Sequence, residues 1–61
     1  MMTEEELQLQ IAMQASTIAE IQRRLRNAHT SPVRREQLEN ELLDRVHLRF
    51  VMIHALSLMA Q

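Results

Sequence analysis

The chain has 61 residues, enough for one domain, and a core this small usually needs a disulfide, a metal or association to supplement it. No cysteine is present, which excludes a disulfide framework or thiolate metal site, leaves association as the supplement and fits a cytosolic protein. No glycine, one proline and a single aromatic residue, Phe50, exclude a sheet protein, and a formal net charge of -1 gives no global pull toward nucleic acid or membrane.

The stretch MTEEEL opens the first helix. Thr3 caps it, Glu6 completes a capping box, and Met2 with Leu7 has the spacing of a hydrophobic staple. Its acidity, where a basic region and an apolar run would be needed, predicts no secretory signal here. The line Leu7, Ile11, Gln14, Ile18, Ile21, Leu25 and Ala28 then alternates by four and three, the heptad seam of a coiled coil with one polar member. Gln14 is read as a device that fixes register. Helix 1 is expected over about 3–28.

The break falls in NAHTSPVRRE, where Asn27 can end a helix and Ser31 followed by Pro32 can start one. A turn over about 28–31 makes the helices antiparallel neighbours. Arg23, Arg24, Arg26, Arg34 and Arg35 gather here, opposite Glu4, Glu5 and Glu6 at the other end. Such a patch could serve nucleic acid or an acidic protein. Dipole complementation at the end of helix 1 and the pairs Glu20 to Arg24 and Glu41 to Arg45 account for part of it without a ligand, with Arg35 to Glu39 as a further pair. With no aromatic residue at the turn to stack on bases, nucleic acid is not the expected partner.

Helix 2 is expected over about 32–60. Its inward face is read as Leu38, Leu42, Val46, Phe50, Ile53 and Leu56, which follow the mean helical period. Antiparallel pairing of the seams sets Leu25 by Leu38, Ile21 by Leu42, Ile18 by Val46, Ile11 by Ile53 and Leu7 by Leu56. Gln14 then falls near Arg49 and Phe50. The stretch HLRFVMIHALSLMA has ten apolar residues in fourteen, more than one buried face requires, yet fewer than the roughly 20 that span a bilayer. Removing the inward face leaves Leu48, Val51, Met52, Ala55, Leu58 and Met59 as a second stripe, expected to contact a partner.

Other chemistry is sparse. His47 and His54 are seven residues apart, too far for two ligands of one ion on one helix. Ser16, Ser31 and Ser57 form no acid-base-nucleophile grouping that a hairpin could enclose. Neither an enzyme nor a cofactor is expected. The fold class expected is all-α, a single antiparallel two-helix hairpin completed by oligomerisation or a partner.

An acidic capped first helix, a polar turn and a second helix that grows more apolar, with stretches such as IAEIQRRLRNA and RVHLRFVMIHALS, resemble the small co-chaperones of type III secretion needle proteins, the YscE and PscE kind. The resemblance implies a hairpin that packs on a larger helical-repeat chaperone and helps keep the needle subunit soluble in the bacterial cytosol. Leu48, Met52, Ala55 and Met59 would then touch the partner, and no catalytic residue is carried over. Two alternatives share the same physics. One is a homodimeric four-helix-bundle regulator resembling the Rop type, which binds RNA. The other is a phage- or plasmid-encoded inhibitor that caps a host protein.

Overall fold

Two cap residues start the two helices of the computed structural model, which describes residues 2–61. Helix α1 spans Glu4–Leu25, and Thr3 Oγ1 accepts from the Glu6 N–H at 3.1 Å, so one amide of the first turn has a partner. Glu4, Glu5 and Glu6 place negative charge at the positive end of the dipole. Helix α2 spans Pro32–Met59, with Ser31 Oγ accepting from the Arg34 N–H at 3.2 Å and Pro32 in the first turn, where no amide donor is needed.

Helix α1 ends at Leu25, three residues short of the sequence expectation, because local side chains take over its last carbonyls. The Thr30 hydroxyl donates to Arg24 O at 2.9 Å, and Asn27 Oδ1 accepts from the His29 N–H at 2.9 Å. Arg35 reaches back from α2, its guanidinium donating to Leu25 O at 2.8 Å and to Asn27 O at 3.4 Å. A cation at the negative end of α1 is favourable. This explains an arginine in the first turn of α2, where the dipole of α2 itself disfavours it. No described residue has a positive φ, so the turn closes without glycine. Ala28 lies in the turn and is exposed rather than on the seam.

The helices lie side by side in an all-α hairpin whose Cα atoms extend over 45 × 16 × 14 Å. Helix α1 presents its seam as expected, with Leu7, Gln14 and Ile21 buried and Ile11, Ile18 and Leu25 half-buried.

Helix α2 departs from expectation. Leu38 is 1% exposed and Leu42 and Leu56 are half-buried, but Val46, Phe50 and Ile53 are exposed and do not belong to the hairpin core. The half-buried residues between Leu42 and Leu56 include Arg45, Arg49 and Met52. The seam is therefore Leu38, Leu42, Arg45, Arg49, Met52 and Leu56, the same four-three alternation as α1. Choosing only apolar residues shifts the line sideways at Val46. Arginine can occupy a seam because its aliphatic stem packs while its head seeks a polar partner. Arg45 finds one across the interface, donating to Gln14 Oε1 at 3.2 Å. The two cross-helix bonds thus come from Arg35 to Leu25 and from Arg45 to Gln14, each about one turn earlier in α2 than the apolar pairing implies.

Candidate association surface

The core of the single hairpin is thin. Among the described residues only Leu7, Ile21 and Leu38 are buried apolar side chains, and Gln14, 8% exposed, is buried with them. Leu9, Met13, Leu43, Val46, Leu48, Phe50, Val51, Ile53, Leu58 and Met59 all remain exposed. Most of these lie in the second half of α2, the stretch singled out by its surplus of apolar residues.

At 100° per residue, the exposed apolar residues of α2 fall into two lines, roughly 100° to either side of its seam. Leu48, Val51 and Leu58, with the half-buried Ala55 between the last two, form one, which continues toward the turn through Asp44 and Glu41. Leu43, Val46, Phe50 and Ile53 form the other. Glu41 shares an open groove with Thr17, Glu20 and Arg24 of α1, so the first line looks out on the face where α1 is polar and charged. The opposite face joins the second line to the small residues Ala12, Ala15 and Ala19 of α1.

Of the sequence-derived contact residues, Leu48, Val51, Leu58 and Met59 are exposed, whereas Met52 and Ala55 are half-buried in the hairpin. The sequence pattern hides the exposed face holding Phe50, because Val46, Phe50 and Ile53 follow the period that an apolar hairpin interior would show.

The arginines near the turn are largely engaged within the chain. Glu20 accepts from Arg23 Nη2 and, at 3.3 Å, from Arg24 Nε. The hydrogen bond from Arg23 holds the Glu20 carboxyl below the usual glutamate range, with the charges of Arg23 and Arg24 adding to it. Arg34 donates to Gln37 at 3.5 Å, and Arg35 is committed to α1. Arg45, expected to pair with Glu41, serves Gln14 instead. The surface grooves are open to solvent. One lies by Thr3, Glu4, Glu5 and Gln8, the other by Ser16, Thr17, Glu20 and Glu41, and no histidine lines either. His47 and His54 are exposed. Among the described residues no three of His, Asp and Glu gather as a metal site would require. Among the described residues no helix is long and apolar enough to cross a membrane.

Compared with known proteins, the chain matches no family model, no curated protein and no solved structure.

Proposed function

We propose that this protein is a non-enzymatic interaction module that packs helix α2 against a helical surface of another protein. The observation that carries the proposal is the position of Leu48, Val51 and Leu58, exposed in one line on a face that the hairpin does not cover. Leu48, Val51 and Leu58 stand at i, i+3 and i+10, with the small Ala55 at i+7, and large apolar anchors at helical spacing of this kind suit a groove between helices. Met59 at the end of that line gives the contact a flexible edge. The resemblance to needle-protein co-chaperones supports a specific form of this function, in which the partner is a helical-repeat chaperone in the bacterial cytosol and the complex keeps an assembling subunit soluble.

The test compares the wild type with Val51→Glu as affinity baits in the native cell. Burying a carboxylate without a partner disfavours any apolar contact at that site. Val51 is exposed in the hairpin, so circular dichroism should show an unchanged helix content. A protein recovered by the wild type, lost with Val51→Glu and rebuilt as a complex from purified components supports the proposal. An identical set of proteins on both baits refutes it. For the co-chaperone form, co-expression must also raise the soluble yield of the subunit.

A further inference from the structure

The second apolar line raises a separate question, because a heterologous partner on the Leu48 face leaves Phe50 in water. Phe50 and Leu43 are each 69% exposed, and Val46 and Ile53 complete the line at spacings of three, four and three residues. We infer that this face binds a second copy of the chain, with the two hairpins antiparallel.

Four observations select that occupant. The first is area. The surface is 4868 Å² for a 7.2 kDa chain, whereas a compact monomer of that mass has about 4,100 Å². The excess, on the order of 700 Å², is close to the roughly 800 Å² that each partner contributes to a stable interface. The second is pattern. The spacing reads the same in either direction, so an antiparallel copy sets Val46 of one chain against Phe50 of the other, and Leu43 against Ile53. A self-complementary patch of this kind is what a two-fold dimer uses.

The third observation concerns α1. Beside this line it presents Ala12, Ala15 and Ala19, so the middle of the face carries no charge, and Glu39 and Arg26 enter it only near the turn. The opposite face carries Glu20, Arg24 and Glu41. The fourth is electrostatic. An antiparallel copy sets the turn, with Arg26 and Arg34, toward the end where its mate carries Glu4, Glu5 and Glu6. A parallel copy would place like charges together. The result is a four-helix bundle in which every neighbouring helix is antiparallel. Its Leu48 lines stay on the outside, open to the partner proposed above, although the dimer does not depend on that partner.

Sedimentation velocity on the full chain tests the inference. The wild type should sediment with twice the chain mass, Phe50→Glu should be monomeric with unchanged helix content, and Val51→Glu should remain a dimer. If Phe50→Glu loses helicity, Ala12→Lys decides instead: it adds a charge where the two α1 helices meet, at a residue exposed in the hairpin, and should also yield a monomer. Because the chain has no cysteine, His29→Cys carries a single spin label at the turn. In the antiparallel dimer the two labels lie about 50 Å apart at 1.5 Å per residue, against less than about 25 Å if the turns meet. A monomeric wild type, a Phe50→Glu or folded Ala12→Lys variant that still dimerises, loss of the dimer in Val51→Glu, or a short distance between labels each overturns the inference.

Discussion

Arg49 is the residue whose replacement should stabilise this protein most. It stands on the α2 seam, and its Nε is buried with no hydrogen-bond partner. A buried donor left unpaired costs about 1–3 kcal/mol. Leucine removes that penalty and continues the apolar line toward Met52 and Leu56. Full burial of a leucine gives roughly 1.5–3 kcal/mol, and the half-buried position reduces this to about 1. Against these gains stands the arginine stem, whose packing is lost. Arg49→Leu should therefore raise stability by about 2 kcal/mol. For a domain of this size, each kcal/mol corresponds to about 4–8 °C in melting temperature. Thermal melts followed by circular dichroism at one fixed chain concentration, with mass checked by light scattering, would show it. An unchanged or lower midpoint at unchanged mass refutes the reasoning, because it means that the Arg49 head contributes binding energy that its geometry does not reveal.

Arg45 should behave in the opposite way. Removing it as Arg45→Leu leaves Gln14 Oε1 buried and unpaired at a cost of about 1–3 kcal/mol, while Gln14→Leu together with Arg45→Leu should recover most of that; additivity in the double-mutant cycle would refute the coupling. Met52→Glu places a carboxylate on the hairpin seam and should collapse helicity, whereas Ile53→Glu, on the exposed face, should keep helix content and lose only self-association; equal helix loss in both would contradict the observed seam. Glu20, whose folded pKa is depressed, contributes stability above its unfolded pKa and loses it as pH falls through the folded value; a side-chain carboxyl titration by NMR should find Glu20 below the ordinary glutamate range, and a value within or above that range would break the assignment of its pairs with Arg23 and Arg24.

The hairpin itself was legible from local signals. Thr3, Ser31 and Pro32 mark helix starts through the chemistry of their own side chains, and the α1 seam is apolar but for Gln14, so its heptad shows plainly. The α2 seam was harder because two of its positions are arginines, while better apolar candidates stand one residue away at Val46 and Phe50. One clue was available. Gln14 at a buried position requires a polar partner, and extending the α1 alternation to α2 from Leu38 leads to Arg45. The role of Arg35 could not be read from sequence, since it depends on how α1 ends three-dimensionally against the start of α2. The line through Val46, Phe50 and Ile53 reads in the sequence as the inward face of α2, and only the position of the true seam shows it to be exposed. Once the true seam is known, the surplus divides into two faces with different neighbours on α1.

The most direct test of the central claim, that the uncovered Phe50 face of α2 binds a second copy of the chain, is the melting temperature of the wild type across a hundredfold range of chain concentration. An associating fold melts higher as concentration rises, by mass action. With an unfolding enthalpy of about 0.7 kcal/mol per residue for a dimer of this chain, the midpoint should climb by about 12 °C over that range. A midpoint that stays constant, with monomer mass throughout, would contradict the claim.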